Sequence, residues 1–142
     1  MKETEKNKEE EKEENDRREK RLSTTKMSRA VMPGMTNQRG ILFGGQLMAW
    51  MDEISGIAAK RFAECEVATV AVEQIKFLAP IPCGTFLDVC GEVVSVGNTS
   101  LKVVVEAWMD VQGNQVQKAA EGTFVYVALD EHGNPRKVEK RL

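Results

Sequence analysis

Asp52 is the residue of this 142-residue chain most open to a chemical role. It sits in a run, Gln46 to Ala63, where Leu47, Trp50, Met51, Ile54, Ile57, Ala58 and Phe62 recur at intervals of three and four, the spacing of one helical face. Beside that face runs a seam of Ala49, Asp52, Gly56 and Ala59, in which the carboxylate is the only side chain larger than a methyl. Small neighbours leave a slot that a substrate could occupy, while an acid in the second turn of a helix is also favoured simply by the helix dipole. Gly44 and Gly45 come just before the run. They permit a turn, and they also let a ligand reach the first helical N–H groups, which have no internal acceptor and suit developing negative charge. Seven residues on, about two turns along the helix, the carboxylate follows. Donors and acid together make a pattern suited to acyl transfer.

Other chemistries lack their residues. His132 is the single histidine, and it lies in the turn-like run Asp130-Glu131-His132-Gly133-Asn134-Pro135 near the carboxyl end. A Ser-His-Asp or Cys-His site would need a long reach, and no Gly-x-Ser-x-Gly elbow exists. Histidine and cysteine are not spaced as metal ligands, and the phosphate-loop and dinucleotide fingerprints are absent. The polar candidates that remain are Asn37, Asp52, Glu73 and the helix start. For Glu73, an exposed or cross-strand-paired carboxylate is the plainer reading.

Composition bounds the partners. The first 22 positions carry 17 charged residues, nine acidic and eight basic, with no apolar side chain between Met1 and Leu22. Residues 1–25 are therefore expected to be a charged mobile tail, since such a stretch has no apolar surface to bury. The formal net charge is −2, which gives no cationic field for nucleic acid. No apolar run approaches the roughly 18 residues that a membrane span needs. The start has no secretory h-region and is too acidic for a mitochondrial leader, so a cytoplasmic location is expected. Cys65, Cys83 and Cys90 lack a paired spacing and read as reduced core thiols.

These residues need elements to hold them. A short strand is expected from Lys26 to Met32, stopped by Pro33 and Gly34. The helix from Gln46 to Ala63 follows, then four strands: Glu66 to Leu78, Phe86 to Val96, Leu101 to Val111 and Val116 to Leu129. Pro80, Pro82 and Gly84, then Gly97 and Asn98, then Gly113 and Asn114 separate them, the last pair signalling a hairpin. In the third of these strands Leu101, Val103, Val105, Ala107, Met109 and Val111 share a face turned toward the core, which leaves Trp108 pointing away from the helix. One strand, one long helix and four strands joined by short turns predict an α+β fold, an antiparallel sheet wrapping a helix. One helix covers little of such a sheet, and dimerisation is expected.

The run Thr36-Asn37-x-x-Gly40-x-x-Phe43-Gly44-Gly45, with Met51-Asp52 behind it, resembles the hotdog-fold acyl-CoA thioesterases of the broad-specificity acyl-CoA hydrolase type. The likeness continues through Thr69-Val70-Ala71-Val72-Glu73 to Phe77, Pro80-Ile81-x-x-Gly84, Val96-Gly97-Asn98-Thr99-Ser100 and Phe124-Val125-x-Val127-Ala128-Leu129-Asp130. It covers about residues 27 to 138. A hotdog domain is thus expected over 26–138, with 139–142 as a C-terminal end.

The resemblance implies a five-stranded antiparallel sheet around one long central helix. It further implies an obligatory homodimer with two active sites at its interface, with trimers of dimers among relatives. By the same likeness the substrate is an acyl-CoA, Asp52 is the catalytic carboxylate and Asn37 reaches it from the other subunit. No cofactor or metal is implied. The backbone N–H of Gly45, with that of Gln46, would hold the oxyanion. Asp52 would act on water as a general base or attack the thioester itself, and both routes stay open at this point. Coenzyme A contacts would come from the turn Asn98, Thr99 and Ser100 and from Arg136 and Lys137, with Asn98 standing where many relatives carry arginine. Acyl chain length would depend on which of Trp50, Met51, Phe77 and Leu78 closes the tunnel. A hydratase of the same fold would need a histidine in the helix or its preceding loop, where none is present. A noncatalytic acyl-CoA sensor is the alternative, although a sensor has no need for an acid beside the thioester.

Overall fold

The computed structural model describes residues 2–113 and 115–142, with the backbone alone over 15–23. Its elements in order are helix α1 (Lys2–Ser23), strand β1 (Thr24–Ala30), a 3-10 turn at Pro33–Met35, helix α2 (Gly44–Ala63), and strands β2 (Glu66–Phe77), β3 (Phe86–Val96), β4 (Ser100–Val111) and β5 (Gln115–Leu129). All strand pairings are antiparallel, and the sheet order is β1-β3-β4-β5-β2. The expected architecture, five antiparallel strands around one long helix, is the one observed.

Alternation along the strands dictates which face meets α2. Leu87, Val89 and Val93 on β3, Leu101, Val103, Val105, Ala107 and Met109 on β4, and Phe124, Tyr126 and Ala128 on β5 are all buried. Against them α2 packs Leu47, Trp50, Met51, Ile54, Ala58 and Phe62. Ile57, expected on that face, is 37% exposed instead, because it lies at the rim of the apolar stripe. The helix ends at Glu64, in the left-handed region at φ 57°, whose N–H returns to the Lys60 carbonyl at 2.9 Å. On the outer face Trp108 is half-buried under the Lys118 ammonium, 5.9 Å from its ring centroid.

The bounds of the first strand depart from expectation. Residues 2–23 form a helix, and β1 begins at Thr24, not Lys26, and ends at Ala30, not Met32. Glu3 and Lys6, Glu5 and Lys8, and Glu9 and Lys12 are spaced three apart, a spacing that supports a helix. With Lys2 to Glu14 exposed throughout, this part of α1 adds nothing to the core. The cysteine expectation is corrected too. Cys65 and Cys90 are only half-buried and Cys83 is exposed, because Ile81 takes the inward position in its loop. Burial pushes the Cys90 thiol up from its ordinary value.

The β4–β5 hairpin forms as expected, with Val111 facing Gln115 and Gly113 at φ 79°. Asn114 lies outside the described residues. β2 is an edge strand paired only with β5, and it carries exposed Val70 (55%) and Val72 (41%). Edges of this kind are open to pairing with another chain.

Candidate active site

The loop ahead of α2 folds around Asn37. Its backbone N–H donates to the Ile41 carbonyl at 2.8 Å, and its carbonyl accepts from Gly40 N–H at 3.0 Å. Its side-chain Oδ1 accepts the N–H groups of Arg39 (2.9 Å) and Ile41 (3.1 Å). With the oxygen committed inward, the amide nitrogen Nδ2 is the part left to face a ligand, so Asn37 can serve there only as a donor. Phe43 N–H to Met35 O at 3.1 Å and Leu42 N–H to Ile81 O at 2.8 Å close the loop. The first hydrogen bond of α2 runs from Leu47 N–H to Phe43 O at 3.1 Å. The N–H groups of Gly44, Gly45 and Gln46 precede it and have no intrahelical acceptor. Both glycines fall inside the first turn of α2, two positions earlier than the expected helix start.

Asp52 is half-buried on α2. Its Oδ1 accepts the Thr69 hydroxyl at 2.8 Å and the Tyr126 phenol at 2.7 Å. Thr69 on β2 and Tyr126 on β5 are register partners, and the β2 ladder slips by one residue directly after Thr69. Bulges at such places re-aim side chains. The seam beside Asp52 is therefore not an empty slot over its whole length. Tyr126 fills it at Gly56, where a Cβ would lie 3.7 Å from both Cε1 and the hydroxyl. Burial first, and the neighbouring Asp52 second, push the Tyr126 phenol far above its ordinary value, so it remains a donor at neutral pH.

The structure separates the expected partners into two groups within one chain. Asn37 and the amides at Gly45 sit at the amino end of α2. Asp52 lies seven residues further, about 10 Å along the axis at 1.5 Å per residue. That is too far for one carbonyl to touch both, so Gly45 and Asp52 of a single helix do not make one reaction centre. Among the described residues no hydrogen bond joins Asn37 to Asp52.

A cavity of about 250 Å³ opens beside the helix start, lined among others by Ile41, Leu42, Gly44, Leu47, Phe77 and Leu78. Phe77 and Leu78 are thus placed to bound an apolar ligand, whereas Trp50 and Met51 are core residues and do not line it.

The turn Asn98, Thr99 and Ser100 joins β3 to β4 and meets the carboxyl-terminal segment. Val138 N–H donates to Asn98 O, Ala128 N–H to Thr99 O and Arg136 N–H to Ala128 O, each at 2.8 Å. Val138 is buried and anchors the segment. Arg136 and Lys137 stay exposed beside the turn, while Arg141 is engaged with the Gly97 carbonyl at 2.7 Å. Ser100 faces Val127 and Leu101 faces Tyr126, so this basic end lies along β5 from the group that holds Asp52.

Glu73 pairs with Lys102 at 3.4 Å, the cross-strand reading. His132 is exposed beside Glu131 in the turn that Asp130 organises through His132 and Asn134 N–H. Among the described residues no three His, Cys, Asp or Glu side chains gather as metal ligands. Thr69 and Tyr126 were not singled out from sequence. Their one signal is the small residue at position 56, which says that something approaches α2 without saying what.

Residues 39–114 match the model of the thioesterase superfamily. A chain of Zymomonas mobilis described as an uncharacterized acyl-CoA thioester hydrolase is 42% identical over 109 residues, 76% of this chain and 73% of that one. An acyl-CoA hydrolase of Staphylococcus aureus, solved with butyryl coenzyme A, coenzyme A and coenzyme A disulfide, superimposes with TM-score 0.80 at 37% identity, over 82% of this chain and 72% of that one. Variants of that enzyme were also solved with an asparagine, an aspartate or a threonine changed to alanine, at the sequence spacing of Asn37, Asp52 and Thr69 here. A hexameric thioesterase of Yersinia pestis gives TM-score 0.76 at 34% identity, over 81% of this chain and 94% of that one. With its helix wrapped by five antiparallel strands and more than half its length matching the family, the chain belongs to the thioesterase superfamily, in the hotdog fold.

Proposed function

We propose that this chain hydrolyses acyl-CoA thioesters to a carboxylic acid and coenzyme A, at sites that two copies of the chain build together. The observation that carries this reading is the Asp52 carboxylate, with Oδ1 held by two hydroxyls and Oδ2 without a hydrogen-bond partner among the described residues. Asn37 Nδ2 and the free amides at Gly45 of one protomer face the Asp52 of the other, which removes the 10 Å separation found within one helix. The edge strand β2, with its exposed valines, is the surface on which the second copy pairs. Assembly in relatives, including the Yersinia pestis hexamer, supports this.

In the reaction, Asp52 Oδ2 takes a proton from water as the water oxygen bonds to the thioester carbon. Negative charge gathers on the carbonyl oxygen, where each backbone or Asn37 donor is worth roughly 100- to 1000-fold. The carbon–sulfur bond then breaks, and the proton held by Asp52 goes to the departing sulfur. In the other route Oδ2 itself attacks the thioester carbon, the carbon–sulfur bond breaks with coenzyme A leaving as its thiolate, and water later cleaves the mixed anhydride to free the acid and Asp52. Coenzyme A extends toward Asn98, Thr99, Ser100, Arg136 and Lys137, and the acyl chain enters the cavity bounded by Phe77 and Leu78.

The test is hydrolysis of an acyl-CoA series by the wild type, Asp52→Asn and Asn37→Ala. Asp52→Asn should lose roughly 100- to 10,000-fold in kcat. Mixing the two variants should restore part of the activity as subunits exchange. A folded Asp52→Asn chain that turns over at the wild-type rate sinks the proposal, and exchange without recovery sinks the shared site.

A further inference from the structure

We propose that Tyr126 is a positioning residue for this reaction: its hydroxyl, with that of Thr69, fixes the Asp52 carboxylate so that Oδ2 alone meets the substrate. This rests on the reading of Asp52 as the reacting group.

The Tyr126 ring is wedged between the sheet and α2, with 2% of the residue exposed. Its oxygen lies 2.7 Å from Asp52 Oδ1 and 2.8 Å from the Asp52 main-chain carbonyl. A phenol has one hydrogen, and the charged oxygen is the stronger acceptor. The carbonyl contact fixes where the hydroxyl stands, over the helix turn that carries the acid. Thr69 reaches the same Oδ1 from β2. A carboxylate oxygen with two such donors has both lone pairs committed, so rotation of the side chain would break two bonds at once. Orientation of this kind lowers the reorganisation that the reaction needs.

A phenylalanine would fill the same space without the cost of burying a hydroxyl, which stays favourable only when bonded. Asp52 is what that hydroxyl serves. Among the charges on the neighbouring elements, Glu53 on α2 pairs with Arg29 of β1, Glu73 of β2 with Lys102 of β4, and Glu121 of β5 with Lys118. Gly56 completes the fit by leaving room for the phenol.

Tyr126 is the only tyrosine in the chain, so growth on 3-fluorotyrosine marks this phenol alone. Two measurements test the proposal. In Tyr126→Phe, kcat should fall about tenfold with KM little changed, because the carboxylate has lost one of the two donors that orient it. In the fluorotyrosine protein the fluorine resonance should shift between the wild type and Asp52→Asn, because the phenol donates to that carboxylate. A purely structural tyrosine would lower the melting temperature and leave kcat unmoved. Wild-type kcat in Tyr126→Phe, with Asp52→Asn inactive, overturns the role of Tyr126 and leaves that of Asp52 standing. A fully active Asp52→Asn overturns both. Should Tyr126→Phe not fold, the resonance decides, and one that ignores the change at Asp52 overturns the proposal.

Discussion

Ile54 on α2 and Gly91 on β3 mark a point where helix and sheet nearly touch: a Cβ at position 91 would stand 3.0 Å from Ile54 Cγ2 and 3.5 Å from the Ile54 carbonyl. The alternation of Val89 and Val93 continues through this glycine, so the missing side chain is what lets the helix lie down on the strand. The height of α2 above the sheet sets how far Asp52 stands from Thr69 and Tyr126.

Gly91→Ala should therefore cost about 1–3 kcal/mol, the range for overpacking a filled core. Urea or thermal unfolding checks it. A variant as stable as the wild type would mean that the helix can lift without penalty.

Gly45→Ala should behave in the opposite way. A Cβ there meets nothing within 4 Å in the chain, and alanine is the better helix former. The melting temperature should hold or rise while kcat/KM drops, because the methyl occupies the approach of the thioester. Unchanged turnover would show that no substrate passes this residue.

Arg136→Ala and Lys137→Ala should raise KM for acyl-CoA and leave hydrolysis of the matching acyl-pantetheine thioester, which lacks the nucleotide phosphates, close to wild type. Stability should not change, since both side chains are exposed. Equal losses on the two substrates would count against a phosphate contact.

On β1, the Ser28 hydroxyl donates to Asp88 at 2.6 Å. That bond, ahead of the Lys26 ammonium, holds the Asp88 carboxyl below its ordinary value, partly opposed by desolvation. A depressed folded-state pKa adds stability that is present above the unfolded value, about 3.9, and is lost as pH falls through the folded one. Ser28→Ala should thus lower the urea midpoint at pH 7, and its difference from wild type should shrink below about pH 3. A difference that persists in acid would assign the loss to packing instead.

Elements were legible where side-chain periodicity carried them. The inward set from Leu101 to Met109 placed β4, and Phe86–Val96 matched β3 at both ends. The site was legible only in part. Asn37, Gly45 and Asp52 stand in local motifs, and their positions on a loop, a helix start and a helix seam follow from nearby residues. Thr69 and Tyr126 do not, because their meeting at Asp52 depends on the β2–β5 register, which joins residues more than fifty positions apart and slips by one after Thr69. Exposure of Cys83 is not legible, because an apolar neighbourhood in sequence does not say which residue of a loop turns inward.

The sheet order also has a consequence for how the chain is made. β2 leaves the ribosome well before β5, the strand it pairs with among the described residues. Until then Thr69 has no neighbour across the ladder and the acid on α2 has no phenol above it. Nascent chains cut short before Tyr126 would carry the Asn37 loop and Asp52 intact and still lack one wall around the acid.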